Sequence, residues 1–223
     1  MTRAVDRFPV CIEPSGIQTG RDVLKAILDF GSAVIRDRQP GDAVSGRLRG
    51  TGPGVSFTEL LRRLESDHPV QLAAPFENSD RVAGSAWIAS ELLDQRDKRG
   101  LVKLHWSAGT TDIPLHVHEH SDRFIVVLQG RGFFHVDPER TASSGRSPVV
   151  TIAAREMDFF AFTRGVVHTF TTDEHPMTLL SVHTPFRSLE ATDQWTPASP
   201  LSNGIEVENP PSVIAACGVK RLK

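Results

Sequence analysis

Between Leu101 and His183 the apolar residues keep a period of two. A chain that alternates this way over short runs, breaks at a turn and resumes can bury its apolar half only as a sheet. The first run is Leu101-Val102-Lys103-Leu104-His105-Trp106, and others cover 113–118, 123–129, 132–136, 148–153, 158–162, 166–171 and 177–183. Turn signals separate them: Ser107-Ala108-Gly109, Gln129-Gly130-Arg131-Gly132, Asp137-Pro138 and Asp173-Glu174-His175-Pro176. Seven or eight short strands at such spacing predict a sandwich or a small closed barrel.

The same stretch holds the chemistry-bearing residues. Eight of the nine histidines (105, 116, 118, 120, 135, 168, 175, 183) lie between residues 105 and 183. In Pro114-Leu115-His116-Val117-His118 the two histidines are two apart, so an extended backbone points both the same way, with Cα atoms about 6–7 Å apart. Two imidazoles so placed can converge on one divalent metal. Some fifty residues on comes Met157-Asp158-Phe159-Phe160-Ala161-Phe162-Thr163-Arg164-Gly165-Val166-Val167-His168-Thr169-Phe170, an acidic turn, an apolar strand, a tight turn at Gly165 and a strand carrying His168.

Over about residues 101–186 these two blocks resemble the motifs of the cupin superfamily. His116, His118 and Gly130 match the first motif, and Gly165 and His168 the second; Asp158 fits the Gly-Asp that often opens the second. Gly109 is one residue too far from His116, Met157 and Thr163 replace a glycine and a proline, and Thr172 stands where an asparagine is usual. At the position of the first motif's glutamate the chain has Arg123. The resemblance implies a mainly β protein, a cupin double-stranded β-helix (jelly-roll barrel) with an N-terminal helical extension, and pairing into a homodimer through edge strands. It also implies a metal site in which His116, His118 and His168 bind iron, manganese, nickel or zinc. Three imidazoles are an adequate ligand set with positions left open, and they suit all four metals. Some thiol dioxygenases of the cupin class use such a three-histidine site.

Turned outward, Arg123 would face solvent; turned inward, it would be a fixed cation near the metal. It could hold a substrate carboxylate bidentately. Two like unit charges about 5 Å apart repel by roughly 3 kcal/mol at an effective dielectric of 20, so the alternative is a salt bridge to Asp112, Asp122 or Asp158. Asp122 is a fallback ligand, but alternation turns it away from the side of residue 123. His183, at the end of the last barrel strand, and His120, just beyond the His-x-His pair, are acid–base candidates. His135 reads as a hydrogen-bonded core histidine, and His68 and His175 as solvated turn residues. Phe133, Phe134, Phe159, Phe160, Phe162 and Phe170 read as barrel core and dimer packing.

The flanks divide the chain into an N-terminal extension (1–100), the barrel (101–186) and a C-terminal tail (187–223). Residues 1–19 carry little pattern. Val23, Leu24, Ile27 and Leu28 predict a helix over 21–30. Residues 39–54, with five glycines and two prolines, predict a loop. Ser56-Phe57-Thr58-Glu59 has the form of a capping box opening a helix to about Glu65, which Asp67-His68-Pro69 stops. Residues 70–100 are mixed, with a strand near Trp87 and Ile88.

Other functions are disfavoured. A net charge of −2 gives no electrostatic footprint for nucleic acid. No apolar run approaches the roughly 20 residues of a membrane helix, and Met1-Thr2-Arg3-Ala4 leads into no apolar segment of a signal peptide. A cytoplasmic protein with two lone thiols, Cys11 and Cys217, is the expectation. Neither cysteine is near the histidines, and neither a Gly-x-Ser-x-Gly elbow nor a phosphate loop occurs; Gly50-Thr51-Gly52-Pro53-Gly54 reads as a flexible loop. The expectation is therefore a metal-dependent oxidoreductase, dioxygenase-like, or an isomerase, acting on an anionic organic small molecule. The alternative is a non-catalytic cupin that binds or senses a small-molecule ligand.

Overall fold

The computed structural model describes residues 17, 19–48, 57–65, 70–72, 75–76, 79–137, 149–187, 191, 193–198 and 220–222. Cys11, Cys217, Ser56, His68 and the glycine-rich 50–54 segment, with the readings made of them, lie outside these residues. The elements in order are α1 (Gly20–Arg36), β1 (Ala43–Arg47), α2 (Phe57–Leu64), β2 (Val70–Leu72), β3 (Val82–Ile88), α3 (Ala89–Leu92), β4 (Gly100–Trp106), β5 (His116–Val117), β6 (Asp122–Asp137), β7 (Val150–Arg155), β8 (Asp158–Phe162), β9 (Val167–Thr171), β10 (Met177–Thr184), β11 (Thr196–Pro197) and β12 (Lys220–Leu222). All the described pairings between these strands are antiparallel. Together they form the curled, half-closed sheet of a jelly roll.

Strand β6 is the spine. The runs 123–129 and 132–136 are one continuous strand of 16 residues. Its first half lies between β8 and β10, and its second half between β7 and β9. Two features let it change sheets. Thr178 of β10 pairs with Gln129 and Leu179 with Val127, so Leu128 is an extra, bulged residue. Gly130 follows with φ 79°, and a Cβ there would lie 2.0 Å from the Pro176 carbonyl oxygen. A bulge bends a strand and shifts its alternation by one. Accordingly Ile125 and Val127 face the barrel interior before it, and Phe134 and Val136 after it.

The other face of the first half of β6 is also buried. Phe124, Val126 and Leu128 pack with Phe159 and Ala161 of β8 and with Leu180 and Val182 of β10 against Val23, Leu24, Ile27, Leu28, Val34 and Ile35 of α1. The sheet thus separates two apolar layers, an interior one and one beneath the helices. Phe159 and Ala161, on the outer face of β8, are covered by this chain's own helices. Helix α1 runs six residues past its expected end at residue 30. It opens on a capping box in which Thr19 Oγ1 accepts from the Asp22 amide while the Asp22 carboxylate accepts from the Thr19 amide. Gly31 does not end it, because Gly31 faces the sheet: a Cβ there would lie 2.7 Å from Val182 Cγ2. Each aliphatic side chain buried on this face contributes roughly 1.5–3 kcal/mol.

The loop expected over 39–54 is corrected in part. Ala43–Arg47 is a strand, pairing with β8 on one side and β12 on the other. Ala43 and Val44 are buried on opposite faces of it, one in each apolar layer. Flanking glycines conceal such a short two-sided strand from a reading by period. Among the described residues no helix is long and apolar enough to cross a membrane.

Gly31→Ala separates packing from propensity. Alanine is the better helix former by about 1 kcal/mol, but its methyl would overlap a β-branched side chain held on a strand. Overpacking of this kind costs about 1–3 kcal/mol. Urea unfolding is expected to show a lower midpoint for Gly31→Ala and partial recovery in Gly31→Ala/Val182→Ala; a raised midpoint in the single variant would show that helix and sheet can part easily.

Candidate metal centre

His116 and His168 are opposite each other on β5 and β9, and His118 follows one residue beyond β5. One nitrogen from each of the three rings lies within 4.8 Å of those of the other two. Ring centroids are 4.6 Å apart for His116 and His168, 5.1 Å for His116 and His118, and 5.2 Å for His118 and His168. All three residues are buried. The strands bring the rings to within a small rotation of the spacing that a shared ion needs, since nitrogen ligands sit about 2.0–2.1 Å from zinc.

The backbone fixes which nitrogen each ring offers. Nδ1 of His116 lies 2.9 Å from the Pro114 carbonyl oxygen, Nδ1 of His168 lies 2.9 Å from that of Val166, and Nδ1 of His118 lies 2.8 Å from that of Gln194. A carbonyl only accepts, so each Nδ1 carries the proton and donates, and each Nε2 keeps a free lone pair. A hydrogen bond from the far ring nitrogen to a fixed acceptor is how protein metal sites orient imidazole. Burial pushes the His116 imidazolium down to about 4, and holds His118 and His168 well below the usual histidine range; Arg123 lowers all three further. At neutral pH no proton competes for the three lone pairs.

Arg123 faces the cavity, as alternation along β6 requires, and is 1% exposed. Its guanidinium donates to Ser121 Oγ, which donates in turn to the Pro185 carbonyl. A second nitrogen lies 3.2 Å from His118 Nδ1, and with the Nδ1 proton directed at the Gln194 carbonyl this is a close approach of two donors, not a hydrogen bond. Burial pulls the Arg123 guanidinium down to about 9, so it stays protonated at neutral pH. None of the described residues forms a salt bridge with it. Asp122 points away: its carboxylate accepts from the Arg164 amide at 2.8 Å and meets the Arg164 guanidinium at 3.2 Å. Asp158 pairs with Arg47 at 3.0 Å.

His183 lines the same cavity, across the strand pair from Arg123, with its ring stacked on Phe186. Its Nδ1 is buried with no hydrogen-bond partner among the described residues, and burial keeps the imidazole well below the usual range. His120 is elsewhere: it is exposed, 3.7 Å from Asp193, and does not line the cavity. His135 is buried between Thr151 and Thr171, with its ring nitrogens 3.0 and 2.8 Å from their hydroxyls. The cavity itself is about 40 Å³, room for a few water-sized positions. Phe76 and Trp195 pack edge-on to His116 beside it.

Three contributors are missing from a reading by motif. Ser181 lines the cavity two residues before His183 on the same face of β10, and alternation alone could have found it. Ser121 is adjacent to the motif. Gln194 acts through its main chain and leaves no trace in residue type. Two departures from the motif also find their reason. Met157, at the glycine position, keeps the left-handed backbone a glycine would adopt, with φ 67°. Thr172, at the asparagine position, accepts from the Thr110 amide at 2.9 Å and donates to the Ser107 carbonyl at 2.6 Å.

Comparison with known proteins follows the same stretch. Residues 103–183 match the family model described as Cupin domain. Among solved structures, oxalate oxidase in complex with glycolate is 16% identical at a TM-score of 0.40, over 49% of this chain and 53% of that one. A sugar phosphate isomerase from Silicibacter pomeroyi is 19% identical at 0.37, over 52% and 66%. Vicilin from Corylus avellana is 14% identical at 0.42, over 58% and 37%. This chain spans about half the length of the oxalate oxidase chain that it matches. No curated protein matches the sequence.

Five buried histidines, 116, 118, 135, 168 and 183, are held below their usual value. Below about pH 6.5 the unfolded chain takes up protons at these rings while the folded chain does not, so acid favours unfolding. For His116 and His135 the window closes near pH 4, where the folded rings titrate too. Stability of the metal-free protein is therefore full above pH 6.5 and falls from there towards pH 4, by at most about 1.4 kcal/mol per pH unit for each histidine. Urea midpoints at pH 7.5, 6 and 5 should decline in that order; a flat series would place these rings in water.

Proposed function

The barrel built on residues 103–183 is a cupin domain, and on that footing we propose that it is a metal-dependent oxidoreductase, dioxygenase-like, acting on a small anionic organic substrate. The observation that carries this reading is the commitment of all three Nδ1 groups to backbone carbonyls, which leaves three Nε2 lone pairs for one ion. A divalent ion held by His116, His118 and His168 would supply a Lewis acid at full charge, and with iron or manganese a redox centre.

The chain's own residues do the rest. Arg123 holds the substrate carboxylate, since its charge is buried and unmatched by any described carboxylate. His183 is neutral, so its Nδ1 can donate or accept a hydrogen bond to the substrate and take a proton when negative charge develops beside it. The apolar wall of Phe76, Trp106, Ile125, Phe170 and Leu179 limits water and strengthens each polar contact. A cavity of about 40 Å³ favours the smallest organic acids. A second reading, a non-catalytic binding or sensing module, draws on the replacement of the motif's carboxylate by Arg123. We further propose a homodimer, supported by the edge of β7, which among the described residues pairs with β6 alone.

Metal analysis and oxygen uptake with a panel of small carboxylic acids test the proposal. Purified protein is expected to hold one divalent ion per chain and to consume oxygen with at least one acid. His168→Ala should lose the ion and the activity together. Arg123→Gln should raise KM tenfold or more, in line with about 1.5–3 kcal/mol for a hydrogen bond to a charged group. Tight binding of an acid with no turnover across the panel would favour the sensing module, and a protein that binds no divalent ion would end the enzyme reading.

A further inference from the structure

The charges that meet in the cavity do not balance. A divalent ion on three neutral imidazoles keeps its full charge, and Arg123 adds another beside His118. None of the described residues lining the cavity is an aspartate or glutamate; of the described carboxylates next to lining residues in sequence, Asp122 is turned outward onto Arg164, Asp193 pairs with Arg187, and Glu119 is exposed. The position from which the first motif would supply a negative ligand supplies a positive one. Among largely apolar walls the two cations repel, and each weakens the hold on the other.

The hydrogen-bonding groups are unbalanced in the same sense. Among the described residues Trp106 Nε1, Ser181 Oγ and His183 Nδ1 are buried without a hydrogen-bond partner, and all three residues line this cavity. Indole N–H can only donate, and the other two can donate. Ser181 and His183 stand on one face of β10, with His183 directly across from Arg123. A buried cation beside unmatched donors is a site for an acceptor with negative charge, and the volume of about 40 Å³ limits it to a few heavy atoms.

We propose that this cavity binds a small carboxylate at Arg123, Ser181 and His183, and that the carboxylate and the divalent ion bind as a linked pair, each tightening the other. The inference rests on the three-histidine metal reading and adds to it a missing negative charge that comes from a diffusible ligand. Linkage makes the effect reciprocal: the factor by which the anion strengthens the metal equals that by which the metal strengthens the anion.

The test uses cobalt(II) perchlorate, whose visible absorption reports its coordination, titrated into metal-free full-length protein. One series contains sodium perchlorate, the other sodium formate at equal ionic strength. Formate should tighten cobalt binding at least tenfold and alter the cobalt spectrum, and cobalt should tighten formate by the same factor. In Arg123→Gln the formate effect should fall below twofold, while cobalt binding in perchlorate alone is as tight as in the parent or tighter. Equal cobalt affinity with and without formate, in a protein that binds one cobalt, overturns the linkage and leaves the proposed function standing. No cobalt binding in either series overturns both. A formate effect that survives in Arg123→Gln shows the anion to be a plain metal ligand and overturns its placement. Should Arg123→Gln fail to fold, Arg123→Lys and Ser181→Ala take its place: each should cut the formate effect severalfold, and an undiminished effect in both counts against the site.

Discussion

Everything in this molecule depends on β6 being buried on both faces. A strand whose alternate residues point to opposite sides usually has one dry side and one wet side. Here Phe124 and Val126 sit under α1 while Arg123, Ile125 and Val127 sit inside the barrel. Register is then fixed from two directions, because a slip of one residue would put a guanidinium under the helix and a phenyl ring against the histidines. The helices are the outer half of the clamp that holds Arg123 in place. Without them, Phe159, Ala161, Leu180 and Val182 would present a broad apolar face to water.

The sequence showed the barrel because its strands alternate, and showed the histidine trio because two short spacings place it. His116 and His118 are two apart on one extended segment, and His168 follows its turn glycine by three residues. The direction of Arg123 was open in the sequence, where substrate anchor, salt bridge and solvent-facing side chain were all compatible with its position; the structure turns it inward. What escaped was set at long range or by the main chain. Strand β1 is five residues long with a glycine inside it, too short for a period to register. The continuity of β6 was hidden by its bulge, since the shift in alternation after Leu128 imitates a strand break. The true end of α1 was hidden by Gly31, whose usual meaning, a helix stop, gives way to close packing on Val182. The proposed role of Ser181 was within reach of alternation; that of Gln194 was not, because any residue there would carry the same carbonyl.

The interior joins two kinds of environment that proteins normally keep apart. Four neutral histidines and one arginine share a space walled by phenylalanine, tryptophan and aliphatic side chains. Desolvation lowers every one of these basic groups. The imidazoles yield by staying neutral, which suits them as ligands. The guanidinium keeps its proton, and the cost of its burial stays with the fold until an opposite charge arrives. A cavity poised in this way is selective for what enters: it favours negative charge and little bulk, before any particular molecule is considered.

The three bonds that aim the imidazoles all end on peptide oxygens, of Pro114, Val166 and Gln194. No point substitution at those three positions can delete such an acceptor, so the aim of the rings tolerates drift in the letters around them. It does not tolerate a change in chain path. An insertion or deletion between Pro185 and Trp195 would displace one of the oxygens while leaving every histidine in place. Related chains that keep all three histidines but differ in the length of that segment would share the ligands and lose the geometry.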